Sequence, residues 1–256
     1  MNKDSGIIAL IKERIGCRNC NLSDLCLPVG LSDVDVERLD AIVNRNNPYH
    51  RGDLLYKQGQ PFRGLFVLKS GSVKSYYQDQ DGIEHVVGFF LPGEIIGLEA
   101  IHSGYHNCSA TVLETTAVCE VPFEQLEQLT EELPGLQHQL LRLLSKEVHN
   151  DCSMVALLGN NSAEQRVAAF LLSLSSRYHN RGLSSREFNL SMSRAEIASY
   201  LGLAVETVSR TFSRFQEREM IEAERKSIKL VDVDSLCEIG GHCTTNLPPQ
   251  ADECQA

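Results

Sequence analysis

The clearest apolar pattern lies in the middle of the chain. Over residues 134–159, PGLQHQLLRLLSKEVHNDCSMVALLG, apolar side chains recur at Leu141, Leu144, Val148, Val155 and Leu158, alternating three and four positions apart once position 151 is counted. That spacing predicts one long helix whose stripe packs on another helix, although the same stripe would also serve as intramolecular core. Asp151 stands on the stripe where an apolar residue belongs. Leu136, Leu140 and Leu143 form a second line, suited to packing on the helix's own domain. Gly159, Asn160 and Asn161 break the pattern and end the helix.

Before this helix the period changes. Residues 31–42, LSDVDVERLDAI, carry helical spacing with Ser32 as N-cap. From Gly52 onward, short β-rich runs (LFVLK, SVKSYYQ, EHVVGFF, EIIG, ATVLE) alternate with glycines, and Ser70-Gly71 and Asp81-Gly82 read as turns. Many short strands at close spacing predict a small barrel or roll. It holds no nucleophile–base set and no phosphate loop leading into a helix. His85, His102 and His106 are scattered and read as surface or core residues.

After the long helix, Ser162-Ala163-Glu164-Gln165 is a capping box that starts a helix, and EFNLSM reads as a strand. Ser193-Arg194-Ala195-Glu196 is a second box, opening a short helix that reaches Gly202. AVETVSRTFSRFQERE then predicts a second helix, with Val208, Phe212 and Phe215 toward the core. Glu206, Ser209, Arg210 and Ser213 share the outer face. Helix, glycine turn and helix is the pattern of a helix-turn-helix, whose second helix enters the DNA major groove. MIEAERKSIKLVD follows as a hairpin wing. Arg forks onto guanine edges and a carboxylate accepts from cytosine, so the four outer residues are the candidate base readers. Ala204 stands at the N-cap of the reading helix and offers it no side-chain acceptor.

Charge sharpens this picture. The chain of 256 residues carries a formal net charge of −10, yet residues 160–232 hold 11 Lys+Arg against 9 Asp+Glu. Only that segment is electrostatically fit to approach a phosphate backbone. There is no apolar run of about 18 residues and no secretory leader, so a cytoplasmic protein without a membrane span is expected.

Nine cysteines in such a chain suggest metal or redox chemistry rather than a disulfide framework. Cys17, Cys20 and Cys26 form C-x2-C-x5-C in a loop. Spacing alone leaves an iron–sulfur cluster, a structural zinc site and unligated thiols open. The absence of a second C-x2-C pair weakens the zinc reading. Cys108 and Cys119 both lie in the strand-rich region, and spacing does not choose between them as a fourth ligand. Cys237 and Cys243 flank His242 in what reads as an ordinary polar tail.

The stretches GCRNC-N-LSDLC-LP and AVCEVPFEQL, with the C-terminal reader, resemble the CRP/FNR family of bacterial transcription regulators, within it the FNR oxygen-sensor branch. The resemblance covers about residues 14 to 232. It implies an α+β chain: an N-terminal jelly-roll-like β-roll sensor domain, a long dimerisation helix and a C-terminal winged helix-turn-helix domain. The expected divisions are 1–28 for cluster binding, 29–122 for the roll, 123–159 for connecting and dimerisation helices, 160–232 for DNA binding and 233–256 for the tail. It further implies that Cys17, Cys20, Cys26 and Cys119 hold a 4Fe–4S cluster whose attack by oxygen frees the cysteine loop. Leu25, Asn19 and Asn21 would tune oxygen access. The loaded chain is expected to be a homodimer through Leu141, Leu144, Val148, Asp151, Val155 and Leu158; the cluster-free chain is expected to be a monomer. Glu206, Ser209 and Arg210 would read a TTGAT half-site in double-stranded DNA, and RNA polymerase would be recruited. The family's polymerase-contact loop falls at Gln80-Asp81-Gly82, where Ile83 replaces an acid. The stretch GLEAIHSGYHNCSA lacks the Arg that holds a cyclic phosphate elsewhere in the family, so no cyclic nucleotide is expected. No constellation supports an enzyme.

Overall fold

The computed structural model describes residues 16–241. They form two compact units. The first takes the chain up to Gln78 together with Gly88–His149, and the second takes Asp79–Val87 and the chain from Asn150 onward.

Two 3-10 turns, Cys17–Asn19 and Ser23–Leu25, precede helix α1 (Asp33–Ile42). Ser32 caps α1, accepting the Asp35 amide N–H at 3.3 Å. Eight strands follow: β1 (Asn44–Arg45), β2 (Leu54–Tyr56), β3 (Gly64–Ser70), β4 (Val73–Gln78), β5 (Glu84–Phe90), β6 (Ile95–Ile96), β7 (Ser109–Val112) and β8 (Ala117–Pro122). They make two four-stranded sheets, ordered β1-β8-β3-β6 and β2-β7-β4-β5. This is the predicted roll, with β1, β2 and β8 added to the strands expected from the pattern.

Alternation on β3 serves two cores at once. Phe66 and Leu68 join Val73, Ala110, Val112 and Val118 in one buried cluster. Leu65 and Val67 join Leu27, Leu39, Val121, Leu126, Leu129 and Leu136 in the other. Gly71 turns β3 into β4 at φ +82, and a Cβ there would lie 2.3 Å from Thr116 Oγ1 and 2.6 Å from the Thr115 carbonyl oxygen. No side chain fits that approach.

Helix α2 (Phe123–Glu132) lays Leu126 and Leu129 on the roll. Leu133, ahead of Pro134, leaves the helical region that a following proline disfavours, and the long helix α3 (Pro134–Asn160) starts there. It continues one residue past the expected stop at Gly159 because the backbone carries on helically through Asn160. Leu136 is fully buried and Leu140 and Leu143 are half-buried against the same cluster. Along the stripe Leu141, Val148 and Val155 are 59, 62 and 71% exposed.

The second unit contains α4 (Ala163–His179), β9 (Glu187–Asn189), α5 (Arg194–Leu201), α6 (Val205–Glu217), β10 (Ile221–Glu224), β11 (Ser227–Leu230) and α7 (Val233–Gly240). Both predicted capping boxes form, at Ser162/Gln165 and Ser193/Glu196. Gly202 takes the left-handed conformation, φ +61, between α5 and α6. The wing is a three-stranded sheet, β10-β11-β9. Residues 233–240 were expected in a polar tail and instead form α7. Asp232 caps it by accepting the Ser235 amide N–H, and Leu236 and Cys237 are buried. At eight residues it spans barely two turns, too short for periodicity to reveal. The tail cysteines Cys243 and Cys254 and the neighbouring His242 lie outside the described residues. Among the described residues, no helix is long and apolar enough to cross a membrane.

Candidate cysteine pocket and nucleic-acid interface

Cys17, Cys20, Cys26 and Cys119 line one pocket. The first three arrive on the turns before α1, and Cys119 arrives on β8. The pocket wall is otherwise largely apolar, with Leu22, Leu27, Leu39, Val67 and Val121 among its residues, and Arg45 and Lys69 bring positive charge to it. Cys119 and Val121 are two apart on β8 and share a face, whereas Val118 serves the other core. Cys108 belongs to that other core, and Cys119 alone of the two lines the pocket. The signal was present as the period of two in VCEV. All four thiols are free. Among the described residues, no three Cys, His, Asp or Glu side chains converge on a single ion position.

The loop has a packing role beyond its cysteines. Leu22 and Leu27 are 7 and 1% exposed. Beside Leu27, the Cys26 carbonyl accepts a hydrogen bond from Gln139 Nε2 of α3 at 3.1 Å. Gln139 is buried, and sequence reading missed it because a glutamine between two apolar lines looks like a solvated residue. Arg18 pairs with Asp33 at 2.8 Å and Glu37 at 3.2 Å, exposed contacts that add little. Asn19 and Asn21 are exposed and Leu25 is half-buried.

Burial dominates the thiol electrostatics. It pushes Cys17 up to about 12, helped by the Asp40 carboxylate, and pushes Cys26 up to about 12, helped by the neighbouring Cys119 and Cys20. Cys119 is raised too, again chiefly by burial. Without a metal these thiols therefore keep their protons at neutral pH, and loading must release them. Burial alone would raise Asp40. The Cys17 amide N–H (2.7 Å), the Cys17 thiol and Arg45 outweigh it and leave the carboxyl below its usual range.

A second polar cluster lies in the roll, with His106, Cys108 and Tyr56 buried and Glu99 partly exposed. His106 Nδ1 is 3.3 Å from Glu99 Oε1, the Cys108 thiol donates to the same oxygen at 3.5 Å, and Tyr56 stacks on the His106 ring at 3.6 Å. Burial works against the Glu99 carboxylate, but the bonds from His106, its own backbone and Cys108 win and hold it below the ordinary carboxylate range. This settles His106 as a core histidine. His85 sits on Asp79 at 2.9 Å, and His102 is exposed.

In the reader, Glu206, Ser209, Arg210 and Ser213 are all exposed on α6, and Val208, Phe212 and Phe215 are buried. Ala204 supplies no cap bond, as its side chain dictates. Arg210 folds back, donating from Nε to the Glu206 carbonyl at 3.4 Å. The Arg194 guanidinium lies 3.3 Å over the Phe212 ring, locking α5 to α6, and burial lowers it to about 10. Arg166 of α4 donates to the carbonyls of Asn161, Leu201 and Leu158 at 3.0, 3.0 and 2.8 Å. One guanidinium thus satisfies the open ends of α3 and α5, which sequence reading also missed. The candidate dimer residues Leu144 and Leu158 are half-buried, while Asp151 is exposed beside Leu141, Val148 and Val155.

A β-roll, a long helix with a bare apolar stripe and a winged helix-turn-helix define a DNA-binding transcription regulator. Comparison with known proteins agrees. Residues 165–239 match a Crp-like helix-turn-helix domain and residues 47–132 a cyclic nucleotide-binding domain. The chain is 46% identical over 225 residues to the transcriptional activator protein anr of Pseudomonas aeruginosa, covering 88% of this chain and 92% of that protein. It is 42% identical over 228 residues to the fumarate and nitrate reduction regulatory protein of Escherichia coli, covering 89 and 91%. The structure is similar to that of FixK2 from Bradyrhizobium japonicum, with a TM-score of 0.72 at 27% identity over 79% of this chain and 99% of that one. The chain belongs to the FNR branch of the CRP/FNR family of bacterial transcription regulators. It is a regulator and not an enzyme.

The raised thiols make a testable statement about the metal-free protein. A thiol raised on folding contributes stability below its unfolded value of 9.0 and loses it as pH climbs toward about 12. Alkylation at pH 8, followed by peptide mass spectrometry, should therefore modify the exposed Cys152 first. Cys17 and Cys26 should accelerate only well above pH 9. Equal rates for Cys26 and Cys152 at pH 8 would refute the buried pocket.

Proposed function

We propose that this chain is an oxygen-responsive transcription regulator of the cytoplasm that binds a 4Fe–4S cluster through Cys17, Cys20, Cys26 and Cys119. Loaded, it dimerises, binds a palindromic TTGAT-type site and acts on anaerobic genes through RNA polymerase. The observation that carries this reading is the meeting of all four cysteines on one pocket wall, three from a loop and one from a distant strand. A single zinc ion needs its ligands at about 2.3 Å from one point. Thiols spread around a pocket suit a multi-iron group better, and soft thiolates favour it. Bound there, such a cluster would supply an oxygen-labile tie between the loop and β8.

The chain's own residues offer the coupling. Cys26 is joined to α3 by the Gln139 bond, and the adjacent Leu27 packs with Leu136. Ordering the cysteine loop would therefore order the first turns of the helix that carries the bare stripe. Leu141, Leu144, Val148, Val155 and Leu158 then face the same residues of a second copy. Two Asp151 carboxylates brought together across a two-fold axis repel and lose water, so the dimer is marginal by construction. In the reader, Glu206, Ser209, Arg210 and Ser213 meet base edges. The ligand role of a cyclic nucleotide is disfavoured because the stretch GLEAIHSGYHNCSA supplies no Arg to hold a cyclic phosphate, and its carboxylate, Glu99, is kept anionic by its bonds.

Purification under nitrogen tests the cluster. The protein should be brown, contain iron and acid-labile sulfide, and bleach in air; a colourless protein carrying zinc would overturn the reading. Asp151→Ala should shift the metal-free chain from monomer toward dimer in sedimentation experiments. A monomer indistinguishable from the parent would remove Asp151 from this role. Arg210→Ala should lose discrimination of the palindrome from a mutated site by about 1–3 kcal/mol while keeping salt-dependent non-specific binding. Retained discrimination in a binding titration would show that Arg210 does not read a base.

A further inference from the structure

Arg45 is the best-placed cation of the cysteine pocket, and its bonding is incomplete. It stands on β1, directly paired in register with Cys119 of β8. Its terminal Nη2 donates to Cys17 Sγ at 3.4 Å and to the Asp40 carboxylate. Asp40 in turn accepts the Cys17 amide N–H at 2.7 Å. The side chain is only 14% exposed. Its Nε is buried and has no hydrogen-bond partner. A buried donor left open costs free energy unless something accepts from it. Arg45 lines the pocket together with the four thiols, and the rest of that wall is largely apolar.

We propose that Arg45 is a positioning residue for the sulfur ligands: anchored by Asp40, it holds Cys17 in place beside Cys119 and directs Nε–H at sulfur of the bound cluster. This rests on the cluster reading above and adds a residue to it. The chemistry favours it on two counts. Thiolate and sulfide sulfurs are acceptors, and a buried anionic group gains from a fixed N–H donor. Asp40 balances the charge of Arg45, so the contribution is a directed bond rather than a bare cation. It also makes Arg and Lys unequal here. Only the planar fork reaches Asp40, Cys17 and a third acceptor together, while an ammonium on a flexible stem does not.

The test uses the full chain, loaded with iron and sulfide under nitrogen, as wild type, Arg45→Met and Arg45→Lys. The readouts are iron and sulfide per chain, the rate of iron loss to an excess of chelator without oxygen, and the midpoint potential. Circular dichroism and the Cys17 alkylation rate are read on the metal-free forms. Arg45→Met should lose iron roughly tenfold faster, the scale of an outer-shell change at a metal site. Its midpoint potential should fall, because an N–H bond to sulfur stabilises the more negative, reduced form. Arg45→Lys should be intermediate, and Cys17 should alkylate faster in the metal-free methionine variant. A wild type that loads while Arg45→Met, or Arg45→Lys if the first does not fold, matches it in iron loss and potential would overturn this proposal alone. A wild type that takes up no iron would overturn the cluster reading and this proposal with it.

Discussion

The hydrogen bond from Gln139 to the Cys26 carbonyl, with Leu27 packed beside it, joins the two parts of the first unit that matter most. A buried carboxamide needs a partner, and a carbonyl in a buried turn needs a donor. Each therefore holds the other in place. Leu27 extends the grip into a cluster that also contains Leu39 of α1, Leu65 and Val67 of β3, Val121 of β8 and Leu136 of α3. The cysteine loop is thus a structural part of the core rather than an appendage to it. Whatever orders or frees that loop acts on the root of the long helix.

Electrostatics makes the pocket sensitive to what it holds. Apolar walls favour neutral thiols and disfavour thiolates, as the raised Cys17 and Cys26 show. A chain without metal keeps the pocket protonated. A chain with metal must release those protons, and Arg45, anchored by Asp40, is a fixed N–H donor on hand for the sulfurs. The opposite arrangement is found at the edge of the roll's other core, where the partly exposed Glu99 is held below the ordinary carboxylate range by His106, its own backbone and Cys108. The two cores of one roll therefore differ in chemistry: one places four thiols around an apolar space, and the other has a partly exposed carboxylate at its edge.

The reader is assembled by a few cations at helix ends. Arg166 gathers three carbonyls where α3 ends and α5 turns. Arg194 covers Phe212, and Glu164 draws in Arg214 at 2.6 Å and Arg218 at 3.5 Å. None of these contacts replaces the cap missing at Ala204, where the helix N-terminus has no side-chain acceptor. The outer face of α6 is left polar and open.

Much of this was legible in the linear chain. The α3 stripe, both capping boxes, Gly202 and the buried face of α6 follow from local rules that need only neighbours in sequence. A period of three and four, a Ser three residues before Gln or Glu, and a glycine at a left-handed turn each act within one or two turns of backbone. Three features were decided only by the tertiary structure. Cys119 rather than Cys108 reaches the pocket because β8 pairs with β1 and β3 and presents Cys119 and Val121 to one side. Gln139 is buried because a turn more than a hundred residues earlier in the chain places a carbonyl against it. Arg45 and Asp40 meet Cys17 because α1 and β1 bring them back to the loop. In each case the partner is remote in sequence, and no local pattern can specify which distant atom will complete a buried bond.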